Sequence, residues 1–343
     1  MQPVNVLITA ASRRVGLIRA FSRALRNLKN PGQIITTDMN PFSPGLYFSS
    51  RHYMVPLTTH PNYIPTIKSI CVHESISLLI PTIDDEIPIF GAHRAEFAQI
   101  GTRVACCSAE HATICNDKYA TYVFLKEKGF PVAETYLPEK GLPRTFPLFI
   151  KPRFGRGSIG AHPISNEREL AFFLHYVQDP VVQEYLTGRE FTIDVCCDFE
   201  GHVLEVVPRE RLVIRAGVSD RGITVKHPAL MDIGERVATA LEIVGVINVQ
   251  VKMEEHSAKI FEINPRYAGG IPLTIAAGAD FPNWQVRMVM KRKIKPRIGT
   301  FRDGLIMACF EDALFLSQEQ IKEKSLVNDP LKTKRSYESI RVQ

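Results

Sequence analysis

No apolar run in this sequence is long enough to cross a bilayer. The longest early one, Val4–Ala11, falls far short of the roughly 20 residues a helical span needs, and no basic start with a cleavage site marks a secretory signal. A soluble, cytoplasmic protein with no membrane partner is expected. Its seven cysteines show no CxxC spacing. Two adjacent pairs, Cys106 with Cys107 and Cys196 with Cys197, sit inside strand-like runs, so the reading is buried thiols rather than zinc or a disulfide framework. Purely polar and repetitive tracts are absent too, and 343 residues with 45% hydrophobic content can bury two or three α/β units. Charge of one sign is scarce: 42 basic and 36 acidic residues leave +6, a mild excess that suits anionic small ligands. The dense basic run Lys291–Arg297 lacks interleaved aromatics for base stacking, so it reads as a solvated helix end before Pro296, and no nucleic acid is expected.

What is present is a rhythm. Strand-like and helical runs alternate through the first third: "NVLITA", amphipathic Val15–Leu28, "QIITTD", "YIPTIKSICV", "SLLIP" and "RVACCS", which implies a parallel sheet of Rossmann type. A helix follows in "NDKYATYVFLKEKGF", capped by Asn116 or Asp117 and stopped by Gly129 and Pro131. From "FPLFIKP" onward, short strands come in hairpin-like pairs, such as "REFTIDVCCD" and "HVLEVVPRE" about the Phe199–Gly201 turn, which argues for antiparallel sheet. A domain boundary is placed near residue 113.

"KPRFGRGSIG", residues 151–160, carries the spacing GxGxxG. A dinucleotide turn must open a helix directly. Here a short strand with Pro163 at an edge follows, and a helix begins only at Ser165 or Asn166. The earlier "TAASRRVG" offers Gly16 alone, which makes Asp38 at the end of the second strand a decoy for a ribose ligand. No HRD or DFG occurs, so the loop is not a kinase loop. Two readings remain: a flexible hairpin tip, or a loop that folds over a phosphate chain beside Lys151 and offers it backbone N–H groups.

A second motif, "KIFEINPRYAGG" at 259–270, favours the ligand. Strand alternation puts Ile260, Glu262 and Asn264 on one face, where Glu262 and Asn264 are hard oxygen donors suited to Mg²⁺. Gln250 on the preceding strand and Glu262 are equally far from His256, so an odd-length hairpin loop centred there would set them opposite each other. Arg266 adds a cation where a transferring phosphoryl group needs neutralising. In "VVQEYLTGREFTIDV" the hinge Glu184, Tyr185, Leu186 offers an apolar slot and backbone groups for adenine, and Glu190 an acceptor for ribose hydroxyls.

In this order, "NDK", "FIKPRFGRGSIG", "VQEYLTGREFTIDV" and "FEINPR" resemble the ATP-grasp superfamily, nearest to the branch of the carbamoyl-phosphate synthase large subunit, over roughly residues 4–310. The resemblance implies a Rossmann-like substrate domain (1–113), a two-lobed ATP-grasp domain with antiparallel sheets (114–310, its lid about 119–186) and a C-terminal tail (311–343). It also implies roles. Lys118 and Lys151 would hold the α- and β-phosphates under a lid of Gly155, Gly157, Ser158 and Gly160. Gln183 or Glu184 would face adenine and Glu190 the ribose. Gln250, Glu262 and Asn264 would hold Mg²⁺, usually two ions in this family, with Arg266 near the γ-phosphate.

The synthase has two fused halves and a glutaminase partner, whereas this chain has one "FEINPR". A single unit is similar instead to carboxylate-amine ligases, which make an amide through an acyl-phosphate. That chemistry calls on positioning and charge neutralisation, so no Ser-His-Asp or Cys-His dyad is needed. An ATP-binding sensor or assembly subunit is the alternative, with the basic tail "PLKTKRSYESIRVQ" as its docking segment; a homodimer is compatible with both. For the small carboxylate and amine substrates the candidates are Arg209, Arg211 and Arg215 as a carboxylate clamp. Arg209 and Arg211 read equally well as a structural ion pair. Asp84 and Asp85 would receive an ammonium, Asp85 alternatively being a helix cap. Arg13 and Arg14 stand at the entry to the first helix.

Overall fold

The computed structural model describes residues 2–255 and 257–321. The parallel rhythm holds. Strands β1 (Asn5–Ile8), β2 (Ile34–Asp38), β3 (Arg51–Met54), β4 (Ile76–Ile80) and β5 (Arg103–Val104) form a parallel sheet in the order β3-β2-β1-β4-β5. Helices α1 (Val15–Asn27), α2 (Tyr63–His73) and α3 (Ile87–Gln99) connect them. The sheet is buried on both faces, which is why its strands read as unbroken apolar runs. On one face Leu7, Ile35 and Leu79 join the core of Tyr63, Ile67, Phe90 and Phe97. On the other Val6, Ile8, Ile34 and Leu78 join Leu17, Ile18 and Phe21 of α1.

Strand β3 has no counterpart in the sequence reading. It is an edge strand of mixed character, pairing only with β2. Strand β5 is short, so Cys106 and Cys107 lie just beyond it, buried as expected. Burial pushes both thiols up, Cys107 to about 12, which keeps them protonated and inert. The expected boundary at 113 falls within α4 (Ala109–Asn116), and α5 (Lys118–Glu127) follows at once, capped by Asp117, whose carboxylate accepts from the N–H groups of Tyr119 and Ala120.

Two antiparallel sheets complete the fold. The smaller contains β6 (Thr135–Tyr136), β7 (Leu148–Pro152), β8 (His162–Ile164) and β9 (Pro180–Glu184), in the order β6-β9-β7-β8, with α6 (Glu167–Tyr176) between β8 and β9. Pro163 stands on the outer strand, where a missing N–H costs nothing. The larger sheet has the order β14-β13-β10-β11-β12-β15. Its strands are β10 (Arg189–Cys197), β11 (Val203–Arg215), β12 (Val218–Thr224), β13 (Gly245–Glu254), β14 (Ser257–Asn264) and β15 (Ile306–Ala308).

The two faces of the larger sheet differ in chemistry because strand residues alternate. Phe191, Ile193, Val195, Val206, Ile247 and Val249 bury one face with Leu230, Ile233 and Val237 of α7 (Pro228–Ala240). Gly234 permits that approach, since a Cβ there would come within 2.7 Å of Ile193 and 2.8 Å of Val206. The opposite face is polar. Cross-strand pairing lines up Arg209, Thr192, Gln250 and Glu262 in one row, and Asp194, Asn248 and Asn264 in the next. Helices α8 (Ile271–Ala276) and α9 (Phe281–Val289) then pack against α1, with Ile271, Ile275, Phe281 and Trp284 in the same core as Leu17 and Phe21.

Candidate active site

Gln250 and Glu262 do face each other, but not through the expected odd-length loop. The hairpin closes at Glu254↔Ser257, an even-numbered turn, and a bulge at Phe261 supplies the extra residue that restores the Gln250↔Glu262 pairing. The bulge also turns Ile260 to the core face beside Ile263, instead of sharing the face of Glu262. The turn centre His256 lies outside the described residues.

Between the small sheet and the polar face of the large one lies a cleft of about 380 Å³. Lys118, Lys151, Gly155, Gly157, Ser158, Gln183, Glu184, Tyr185, Leu186, Glu190, Arg211, Gln250 and Glu262 all line it. The glycine loop covers it with an exposed tip. Gly155 (φ 112°) and Gly157 (φ 71°) hold left-handed backbone that other residues resist, and a Cβ on Gly217 of the β11–β12 turn would meet Gly157 at 2.9 Å. Gly160 does not line the cleft but packs on Pro152. Lys118 Nζ donates to the Gly155 carbonyl (2.9 Å), tying the start of α5 to the loop.

Lys151 is buried, and its Nζ donates to Gln183 Oε1 (3.0 Å) and to the Phe261 carbonyl (3.1 Å). Burial pulls its pKa down to about 8; Glu262 opposes the fall and Lys118 adds to it. Burial lowers Lys118 in the same way. Two lysines short of negative charge at one end of a cleft make a receptor for an anion.

Gln183 Nε2 donates to Thr135 Oγ1 (2.8 Å) and its Oε1 takes Lys151, which fixes the amide at the cleft wall. Glu184 turns outward to Lys259 (2.7 and 2.8 Å) and accepts the Glu134 N–H. Both side chains line the cleft together with the Tyr185–Leu186 hinge. Phe149, Pro163 and Ile159 on one side and Leu186 and Ile214 on the other supply apolar walls. Lys252 was missed in the sequence although strand alternation places it two residues beyond Gln250: its Nζ donates to the Leu186 carbonyl (3.0 Å) and fixes the hinge.

Arg209 and Arg211 share a face as expected, but neither is free to clamp a substrate. Arg209 is fully buried and paired with Asp194 (2.7 and 3.1 Å), which also accepts from Thr274 Oγ1 of α8. Arg211 belongs to the cleft, donating to Glu190 (2.6 Å), the Gly217 carbonyl (2.7 Å) and Gln250 Oε1 (3.4 Å). Arg215 lies outside it, exposed, beside Asp220 and Glu311.

At the metal position, Asn264 is buried one row behind Glu262 and donates to its Oε1 (3.2 Å). Glu262 forms no ion pair among the described residues, although both lysines feel its charge. A lone carboxylate with flanking amides fits a hard cation and not zinc. No group of three His, Cys, Asp or Glu side chains able to hold a metal occurs among the described residues. Arg266 reaches across to the first domain: Nε and Nη2 donate to Asp84 Oδ2 (3.0 and 2.7 Å), and Nη2 also to Asn264 Oδ1 (3.0 Å). Asp85 pairs with Arg156 of the glycine loop and caps no helix. Asp38 is spent on the Ser12 and Asn40 N–H groups (2.7 and 2.9 Å), so it is structural, as the decoy reading required.

Residues 177–313 match a family described as ATP-grasp in the biosynthetic pathway with Ter operon. That stretch is an ATP-grasp domain. Ahead of it, residues 6–105 match the PylC-like N-terminal domain. The structure is similar to the biotin carboxylase domain of Hydrogenobacter thermophilus 2-oxoglutarate carboxylase, solved with MgADP and bicarbonate (15% identity, 89% of this chain and 74% of that one, TM-score 0.70). It is also similar to Staphylococcus aureus N5-carboxyaminoimidazole synthetase complexed with ADP (14%, 86% and 79%, TM-score 0.69). A third similar structure is an L-amino acid ligase from Bacillus licheniformis (16%, 86% and 78%, TM-score 0.65). At these identities the likeness is one of fold. Among the described residues no helix is long and apolar enough to cross a membrane.

Proposed function

We propose that this ATP-grasp protein is an ADP-forming carbon–nitrogen ligase that activates a carboxylate as an acyl-phosphate and passes it to an amine. The observation that carries the reading is the pairing of two charge-starved lysines with one unpaired carboxylate across a single cleft. The Lys118 and Lys151 ammonium groups take the phosphates, Gln183 holds Lys151 in place, and the Glu184–Leu186 backbone meets the adenine between apolar walls. Glu190, oriented by Arg211, receives the ribose. Glu262, with Gln250 and Asn264 beside it, would hold Mg²⁺, which offsets charge on the transferring phosphoryl group. Arg266, anchored on Asp84, adds a fixed cation at the same end. Residues 119–186 act as the lid, with the glycine loop as its tip. Fold relatives crystallised with MgADP or ADP support the nucleotide assignment.

The test is ADP release from MgATP in the presence of pooled small carboxylates and amines. Glu262→Gln should bind ADP still, because adenine and ribose contacts come from the separate hinge, yet release none. A Glu262→Gln protein that turns over near the wild-type rate would remove the metal site from this account.

A further inference from the structure

An open sheet edge is a template for another strand, and this fold blunts most of its own. The outer strand of the parallel sheet, β3, begins with Arg51 and His52. Pro163 stands on the outer strand of the small sheet. On the larger sheet, β14 is covered by the chain at 131–133: the Ile260 N–H donates to the Pro131 carbonyl (2.8 Å) and the Ala133 N–H to the Ile260 carbonyl (2.9 Å). The opposite edge, β15, has no such cover among the described residues. Its stretch from Gly304 to Phe310 contains no proline and no charge, and its pairing with β12 has no bulge.

The register tells which backbone groups are free. Gly222 faces Met307, the Thr224 N–H donates to the Leu305 carbonyl (3.0 Å), and the Cys309 N–H donates to the Asp220 carbonyl (2.9 Å). Leu305, Met307 and Cys309 therefore turn inward to β12. Hydrogen bonding alternates along an antiparallel strand, so Ile306, Ala308 and Phe310 direct their N–H and C=O groups outward. Their side chains share one face of the sheet. Ile306 is 63% and Phe310 87% exposed, and Ala308 between them is exposed as well. Two large apolar side chains along an unpaired backbone form a contact surface, unlike apolar residues scattered singly.

We infer that β15 pairs antiparallel with β15 of a second copy of this chain, on a two-fold axis through Ala308. The edge is self-complementary in this register. Ala308 stands opposite the partner's Ala308, and Ile306 and Phe310 stand opposite the partner's Phe310 and Ile306, so all three outward-facing residues exchange hydrogen bonds. An aromatic side chain against a β-branched one is a favourable cross-strand pair, and the symmetry forms it twice. Alanine on the axis leaves room where two copies of one side chain must meet. Glu311 and Asp312 would face the partner's Leu305 and Gly304, so no like charges oppose each other. A slip of one residue sets outward-facing groups against inward-facing ones, and a slip of two breaks both Ile306–Phe310 pairs.

The test is sedimentation equilibrium of the full chain at micromolar concentrations. The wild-type protein should be a dimer. Ile306→Lys with Phe310→Lys puts like charges opposite each other and should weaken the dimer at least about tenfold. The same two positions changed to Glu should act alike, and an equimolar mixture of the two variants should restore the dimer. Both side chains are exposed, so circular dichroism should show these variants folded. The register is read separately in a Cys309→Ser background: Ala308→Cys should form an intermolecular disulfide under mild oxidation, since facing residues there lie within disulfide reach, and Ile306→Cys should not. The inference is overturned if the wild-type protein is a monomer, as it would be with its own residues 322–343 or an unrelated protein on this edge. It is equally overturned if the double-lysine variant dimerises like the wild type, or if Ala308→Cys does not cross-link.

Discussion

Proton uptake on nucleotide binding follows directly from the burial of Lys151. The residue is 5% exposed, and burial pulls its pKa down to about 8 even though Nζ donates to an amide and a carbonyl. Phosphate oxygens against Nζ supply the missing negative charge and restore a value near ~10.4, that of an ordinary lysine. At pH 8.5 roughly three quarters of Lys151 is then neutral in the free protein and almost none in the complex, so binding should take up about 0.75 proton. The sign follows: affinity for ADP falls as pH rises from about 8 to about 10, approaching tenfold, or about 1.4 kcal/mol, per pH unit. The assay is calorimetric titration of MgADP at pH 8.5 in two buffers of different ionisation enthalpy, whose difference gives the proton count. Lys118 acts in the same sense, so Lys151→Met should remove most of the uptake and leave a remainder. Zero uptake in the wild-type protein, or full uptake in Lys151→Met, would refute the phosphate assignment.

Asp194→Asn should act on stability and not on the nucleotide. It strands the buried Arg209 guanidinium, a loss of about 3–5 kcal/mol in urea unfolding, and an unchanged midpoint would return Arg209 to the list of free clamps. Trypsin should cut at Arg153 and Arg156 in the exposed loop more slowly with MgATP than without, since closure over the phosphates orders the tip; equal rates would dismiss the lid.

Local signals carried much of the fold. Alternating strands and helices announced the parallel sheet, and Asn116 or Asp117 marked the start of α5, the structure choosing Asp117, because capping is written within a few residues. Strand β3 was hidden because Arg51, His52, Tyr53 and Met54 show no apolar period and rest on a single neighbour. Within the site, residue types and spacing pointed to Lys151, Gln250, Glu262 and Asn264 and the family resemblance to Lys118; of these the structure brings Lys118, Lys151, Gln250 and Glu262 to one cleft. Partners distant in sequence were not legible: Asp194 beneath Arg209, Lys259 beside Glu184 and Asp84 beneath Arg266 depend on which strands and domains meet. The bulge at Phe261 shows the same limit, since the right pairing arose from a different turn than the one expected.

The proposed acyl-phosphate step is tested most directly by isotope transfer. A carboxylate substrate found in the turnover screen is labelled with ¹⁸O in its carboxyl group, and the amide, the nucleotide and the phosphate are followed by mass spectrometry. The account predicts ADP and phosphate formed in step with the amide, with one labelled oxygen carried from the carboxylate into the phosphate. Unlabelled phosphate, or AMP and pyrophosphate in place of ADP and phosphate, would contradict it.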